Sequence, residues 1–579
     1  MLNKINYLKN HLIVFMTIFL VSLFLVLPQI INHSLVLGGD SLFHFNRIYD
    51  TYMQFKTGNF SYFQTNYGFL QSGRIINALY GPGFAYLLGI LLLIVHNWIL
   101  FQIVTSFLIF FISGYSMYFL SRELQSSKKI SLLIASLFMG SFYVTRWSIN
   151  QNFMSWGVML MPLIVILGLK MIKNNAKDLK VLPLALLISA LIQIHVLSAL
   201  MSVGVIFIFF VVGFYKTNQK LQLLSKCFLA ALLTIVLTFN VWGAMLEIFT
   251  RNTLYSPYTH LDMASDTMRI STGSYSASSI GLVMSVIFIL QFILLFSRWS
   301  QVSLSNRLIT LLGILFLLLS TNLVPWTTIS NLIPQLRSFL QFPYRFYGFA
   351  TVLLLAGFGI SLSELPSFKL KKTGELFLII SIFFILGQAY IDIQQQNKLW
   401  NSNDPLIYKG SVVVSNYLTS DQIRTNFTSS NLSKGLKVVK KIAPDYLPNN
   451  RDEKTTYNKK EYKKDIVRNR PNITKAVTKN GDLILKWHAT KKGESIALPI
   501  VVYNNSELTL NGSRLHRLSL SALGVPTVKT TKKGINHVAL RYQSGVITKN
   551  NLFFVITTWI LSLFTFIILK FNTHNKKNK

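Results

Sequence analysis

The sequence predicts an α-helical polytopic membrane protein of about 12 spans, with an extracytoplasmic β-sandwich-like domain late in the chain. Three observations carry this. The 579 residues are 51% hydrophobic and only 13% charged, with a mean hydropathy of +0.45, and a soluble chain needs far more charge than that. Apolar runs such as 12–31, 99–120 and 307–324 are long enough to cross a hydrocarbon core of about 30 Å. One long polar stretch, 392–550, breaks the pattern, and its second half alternates like strands.

The first run follows Lys4 and Lys9, as a signal peptide would. It is long, ends at Pro28 and lacks a small-x-small cleavage site, so it reads as a retained signal anchor. The loop Ser121–Lys129 is cytoplasmic by the excess of basic residues on inner loops. Spans then fall near 130–145, 155–172, 181–194, 196–215, 227–246, 279–297, 307–325, 342–362, 373–391 and 552–571. Lys173, Lys177 and Lys180, then Lys216, Lys220 and Lys226, then Arg298 and Arg307, then Lys369, Lys371 and Lys372 fall inside. So does the tail Lys576-Lys577-Asn578-Lys579, which places both termini in the cytoplasm of a cell-membrane protein. Between Asp40 outside and Lys128 inside, parity allows one crossing. The short run 80–96, which opens with Gly81-Pro82-Gly83, is therefore re-entrant or lies along the outer interface.

The expected organisation is a membrane domain over 1–391 with a large outer first loop at 32–98, a basic outer domain over 392–550, and an anchor and tail over 551–579. The outer domain is most basic around Lys454–Arg470. Strands are expected at Leu483–Trp487, Ser495–Tyr503, Glu507–Leu510, Leu518–Leu523 and His537–Tyr542, separated by Asn504-Asn505, Asn511-Gly512 and Lys533-Gly534. The net charge of +36 fits membrane topology, lipid headgroups and anionic envelope polymers, and no nucleic-acid-binding motif is present. Cys227 is the single cysteine, which rules out an intrachain disulfide or a thiolate metal site. No Walker A, dinucleotide-binding glycine pattern, nucleophile elbow or zinc spacing occurs.

Chemistry is expected on the outer face. In Gly38-Gly39-Asp40-Ser41-Leu42-Phe43-His44-Phe45-Asn46-Arg47-Ile48 the residues Asp40, His44 and Arg47 share one face of a helix over 41–56. Its aromatic residues would lay that helix on the bilayer surface. Charge at such a depth is costly and is kept for function. Asp40 could serve as a general base, and His44 and Arg47 could meet a phosphate. The plain alternative makes Asp40 a helix cap and Arg47 a headgroup anchor. Arg146, His195 and Arg345 are further candidates for substrate or phosphate contact, with an interfacial anchor, a hydrogen-bonded turn and a snorkelling side chain as their respective alternatives. The loop 247–278, with Glu247, Arg251, Tyr255, His260, Asp262, Asp266 and Arg269, suggests a lid or acceptor-binding loop.

Gly39-Asp40-x-x-Phe43-His44-x-x-Arg47-Ile48, Pro162-Leu163, Gln193-x-His195-x-Leu197-Ser198 and Gln341-Phe342-Pro343-Tyr344-Arg345-Phe346 resemble a group of bacterial multi-span proteins, as do Leu498-Pro499 and Asn511-Gly512. The group is labelled 6-pyruvoyl-tetrahydropterin synthase-related and is similar to YfhO-like membrane proteins and, more distantly, to GT-C glycosyltransferases. Pterin synthase chemistry needs a His-rich zinc site in a soluble fold, and this sequence offers neither. The GT-C resemblance implies a GT-C-like fold, an acidic residue in the first outer loop, here Asp40, and a sugar donor carried on polyprenyl phosphate. It implies a cell-envelope polymer as acceptor. A lone Asp rather than a paired motif leaves a divalent metal open. A transporter or flippase for a lipid-linked precursor, and a non-catalytic scaffold that binds wall polymer, are the competing functions.

Overall fold

The structure is a computed structural model that describes residues 2–270, 279–407, 409–415, 418–450, 459–468 and 472–577. Residues 454–458, 469 and 470 of the basic stretch expected at Lys454–Arg470, and the last two residues of the tail, lie outside the described residues.

Helix covers every segment read as a span. Among the described residues nine helices are long and apolar enough to cross a membrane, from His11–Ile31 to Lys549–Asn572. Four shorter apolar helices accompany them: Pro82–Val95, Val181–Ile194, Leu282–Ser297 and Leu304–Leu319. The chain is that of a multi-pass membrane protein. Reaching about 12 crossings needs three of the short helices to span as well. Lys128–Asn150 and Pro343–Ser363 are each 89% buried along their apolar windows, whereas Lys220–Leu237 is 17% and Lys549–Asn572 11% buried. The first two are therefore the centre of the bundle. The last two present leucine, isoleucine and phenylalanine outward, as a lipid-facing helix does.

The segment between the first two long helices is tied to the bundle by buried amides. Gln102 donates to the Val36 carbonyl at 2.8 Å and accepts from its N–H at 2.9 Å, while Gln29 donates to Gln102 at 2.8 Å. Ser34 donates to Asn397 of the helix Phe368–Trp400. Such groups are retained in an apolar interior because each finds its partner.

The helix Ser41–Thr57 does not lie on a surface. Twelve of its 17 residues are buried, polar ones included. Its polar side is covered by the rest of that segment: Asp50 accepts from the Tyr67 N–H at 2.8 Å and from Gln54 at 2.7 Å. Burial pushes the Asp50 carboxyl up to about 7. Its other side packs on Pro82–Val95, where a Cβ at Gly89 would fall 2.4 Å from the Thr51 hydroxyl. The 14 residues of Pro82–Val95 span roughly 21 Å at 1.5 Å per residue, less than the hydrocarbon core.

The late polar stretch begins after the helix Phe368–Trp400, which continues past the apolar run. It carries three antiparallel sheets, the smallest of which pairs Val412–Val414 with Val439–Lys441. Five strands run in the order Thr474–Val477, Leu483–Ala489, Gly534–Tyr542, Ser506–Leu510 and Ser513–Arg514. Three run in the order Ser519–Leu520, Pro526–Lys529 and Ser495–Ala497. Alternate residues Leu483, Leu485, Trp487, Val538 and Leu540 of the larger sheet share one apolar core with Val528, Leu498, Ile500 and Val502. The expected strand 495–503 stops at Ala497, since Pro499 supplies no N–H to a ladder. Strands 474–477 and 526–529 were not anticipated.

Three ties seat this region, one on the helix Phe239–Arg251 and two on residues 70–74 of the segment after the first helix. Glu247, in the helix Phe239–Arg251, accepts from Asn505, Tyr542, Ser544 and the N–H groups of Gly545 and Val546. Lys475 donates to the carbonyls of Leu70, Gln71 and Pro499, each at 2.9 Å. Arg74 donates to the carbonyls of Ala443 and Asp445.

Candidate functional site

The site begins with a backbone constraint. A Cβ at Gly38 would fall 2.3 Å from the Asn150 Cα, so the loop can press against the end of the helix Phe142–Asn150 only with glycine there. The Asp40 N–H donates to the Asn150 carbonyl at 3.2 Å. The Gly38 N–H donates to the Ser41 hydroxyl, which donates to the Val36 carbonyl, both at 2.9 Å. From the other side Lys441 Nζ donates to the Gly39 carbonyl at 3.1 Å and to Ser411 at 3.2 Å. Lys441 ends the strand Val439–Lys441, so the late polar stretch reaches the segment between the first two long helices here.

Asp40 occupies the cap position of the helix Ser41–Thr57, yet its side chain makes no capping bond. Among the described residues its carboxylate has no hydrogen bond and no ion pair. Asp40 is exposed to water, yet neighbouring protein atoms desolvate its carboxyl. Burial pushes its carboxyl above the ordinary range, Lys441, Arg345 and Arg146 pull it back, and Asp445 pushes it further up. Three cations from three separate elements thus face one unengaged carboxylate.

The cations differ in how they are held. Arg146 is 8% exposed, stacks on the Phe142 ring at 4.3 Å, and makes no hydrogen bond among the described residues. Arg345 donates to the Leu340 carbonyl at 2.8 Å and to Gln341 at 2.9 Å, with Phe342 beneath it at 5.0 Å. Gln341 in turn donates to the Tyr258 carbonyl.

Arg47 is different. It is 1% exposed, donates to Asn77 at 3.1 Å, to the Tyr80 carbonyl and to His44 Nδ1 at 3.2 Å, and stacks between Tyr80 and Phe153. Its donors are engaged within the protein, which corrects its expected contact with a phosphate: Arg47 builds the wall. Because Arg47 donates to Nδ1, His44 is neutral with its proton on Nε2. Burial first, then Arg47, Lys441 and His195, hold His44 well below its ordinary value. His195 caps the helix Val196–Lys216, its Nδ1 accepting from the Ser198 N–H at 3.2 Å. Burial, helped by Arg345 and Arg47, pulls it down to about 3, so it too is neutral. Its ring lies 6.5 Å from that of Tyr80.

Of the expected loop 247–278, Glu247 and Arg251 belong to a helix, and Glu247 serves as the clamp described above. Residues 271–278 lie outside the described residues. Tyr255 pairs by its backbone with Leu447 and Tyr446, and the His260 N–H donates to the Arg337 carbonyl at 2.9 Å. His260 meets Asp266 at 3.0 Å. The loop joins the Arg345 segment to the late polar stretch.

Asp40, Arg146 and Arg345 lie within electrostatic reach of one another, with His44, Arg47 and His195 nearby. Lys441, Asp445 and Tyr80 were missed. Lys441 is one lysine in a basic stretch, and nothing in its spacing marks it. Among the described residues no three His, Cys, Asp or Glu side chains converge as a metal-binding group. Guanidinium and ammonium groups surround Asp40 instead.

No family model matches the chain, and no curated protein matches it. Two solved structures from Archaeoglobus fulgidus show partial likeness. One is the archaeal oligosaccharyltransferase AglB in complex with an inhibitory peptide and a dolichol-phosphate, at 12% identity and TM-score 0.36 over 66% of this chain and 56% of that one. The other is an oligosaccharyltransferase complex with Zn and sulfate, at 15% identity and TM-score 0.33 over 72% and 58%. The chain spans less than two-thirds of the length of either.

Proposed function

We propose that this protein is a GT-C-like glycosyltransferase that moves a sugar from a polyprenyl-phosphate carrier to a cell-envelope polymer at the outer membrane surface. One observation carries the reading: among the described residues the Asp40 carboxylate is unengaged, within electrostatic reach of Arg146, Arg345 and Lys441. A carboxyl pushed upward by burial is a better proton acceptor than an ordinary one. Asp40 accepts the proton of the acceptor hydroxyl as its oxygen attacks the anomeric carbon. The new C–O bond forms as the bond from that carbon to the phosphate oxygen breaks, with inversion. The departing polyprenyl phosphate takes the electron pair, and Arg146 and Arg345 stabilise its charge. Arg47 and His44 hold the wall, and His195 offers an Nε2–H donor. Among the described residues no ligand set converges for a divalent metal, and no step is routed through one.

The topology that suits this chemistry has about 12 crossings, both termini in the cytoplasm of the cell membrane, Pro82–Val95 along the outer interface, and 392–550 outside as a separate domain anchored by 551–579. Nucleotide sugars are absent outside, so a lipid-borne donor supplies the sugar.

The test is a mass profile of envelope glycans and polymers from a deletion strain carrying wild type or Asp40→Asn at matched expression. A sugar substituent lost on deletion, restored by wild type and reduced ~10²–10⁴-fold in rate by Asp40→Asn is expected. Identical profiles in all strains would overturn the reading and favour transport or binding.

A further inference from the structure

We propose that Lys441, from the late polar stretch, is a positioning residue that holds the Asp40 loop and sets the charge state of Asp40. The inference rests on the reading of Asp40 as the working carboxylate. Its geometric basis is direct. Lys441 Nζ holds the carbonyl of Gly39, the residue before Asp40, and Ser411 at the start of the neighbouring strand. Two of its three protons are thereby placed, and the third and the charge remain near the carboxylate. Lys441 also lines a pocket with Gly38, Gly39 and Leu42 of the first loop and with Leu406, Ser411 and Val412. The ammonium is therefore not a surface lysine that happens to pass by.

The charged and titratable groups facing Asp40 come from several parts of the chain. Arg146 comes from the helix Phe142–Asn150, Arg345 from the turn before Tyr347–Ser363, Lys441 and Asp445 from the late stretch, and Tyr80 and Tyr344 from two further segments. Of the cations that pull the Asp40 carboxyl down, Lys441 has the largest effect. It is also the one that bonds to the loop bearing Asp40. Lys441 itself is pulled below its ordinary value by burial and held up by Asp40 and Asp445, so each group keeps the other charged. Removing the Lys441 charge leaves Asp445 uncompensated beside Asp40, and both effects favour the protonated acid.

The test reads protonation without needing the transfer reaction. The purified full chain in detergent is labelled with a hydrophobic carbodiimide, which attacks the protonated carboxyl, and modification at Asp40 is quantified by peptide mass spectrometry from pH 4 to 9. Lys441→Met should move the labelling midpoint up by at least about one pH unit, a tenfold gain in proton affinity. Lys441→Arg should return it to within a few tenths of wild type. Lys441→Gln keeps a donor to the Gly39 carbonyl without the charge and should shift like Lys441→Met, which keeps the test valid if the methionine variant fails to fold. A midpoint unchanged in folded Lys441→Gln, or a shift that Lys441→Arg does not reverse, overturns the proposal. Absence of labelling at Asp40 at every pH in wild type overturns it as well. Loss of envelope glycosylation in Asp40→Asn is a separate result, so failure here leaves the transferase reading standing or falling on its own test.

Discussion

Two buried arginines near Asp40 and His44 do not have the same work. Arg47 donates to three partners and is stacked on two rings, whereas Arg146 has one ring and no hydrogen bond among the described residues. Arg47→Ala leaves the Tyr80 carbonyl and Asn77 without donors and should cost about 3 kcal/mol or more, read as a lowered thermal midpoint in detergent. Arg146→Ala should change stability by about 1 kcal/mol or less and instead weaken donor binding, read by the same melt and by glycan transfer. Equal destabilisation by the two would remove Arg146 from the site. The histidines give a pH signature. Folding holds His44 and His195 below the ordinary histidine value, so below pH ~6.5 the unfolded chain binds protons that the folded chain does not. Their contribution is full above about pH 6.5 and is lost progressively as the pH drops towards 3, the folded value of His195, against the opposite contribution of Asp50, whose raised carboxyl adds stability as the pH falls below about 7. His195→Asn, which keeps a cap, should flatten part of that fall in pH-dependent melts.

At the scale of elements, the helix Phe239–Arg251 holds the sheet region through one carboxylate. Burial pushes Glu247 up, but its bonds from Val546, Tyr542, Ser544 and Asn505 outweigh this and leave it below its ordinary value. A carboxyl held low adds stability above its unfolded value near 4.3, and this is lost as the pH falls through the folded value. Glu247→Ala strands five donors and should cost about 3 kcal/mol or more. Limited proteolysis should then release the sheet region from the membrane helices, and wild type should show the same release only in acid. Elements were legible where one period dominates. Leu483–Ala489 and Gly534–Tyr542 alternate cleanly and were found, whereas the short strands Thr474–Val477 and Pro526–Lys529 carry too few residues to show a period. The helix Ser41–Thr57 was found but misplaced. Its aromatic face looked like a membrane face because sequence does not show that residues 58–80 fold back over its polar side.

For the whole molecule, the alternation of basic inner loops and apolar runs made the helices readable, because burial in lipid leaves few other solutions for a long apolar segment. The site was readable only in its membrane half. Asp40, Arg146 and Arg345 stand out as ionisable groups beside apolar runs, but Lys441 is hidden among lysines of its own kind. The proposed topology is checked on a Cys227→Ser background with single cysteines at Gln125 and Asn403, both exposed. An impermeant maleimide added outside should label Asn403→Cys and leave Gln125→Cys unlabelled until the membrane is opened. Labelling of both, or of Gln125→Cys alone, would invert or break the assignment.

The bond between Lys441 and Gly39 joins residues 402 positions apart. On a ribosome adding roughly 5–20 residues per second, the aspartate emerges some 20–80 s before the lysine that faces it. The site is thus closed in time as well as in space: a nascent or truncated chain carries the acid without its counter-charge. Such a chain carries the Asp40 loop unheld until the ribosome has passed residue 441.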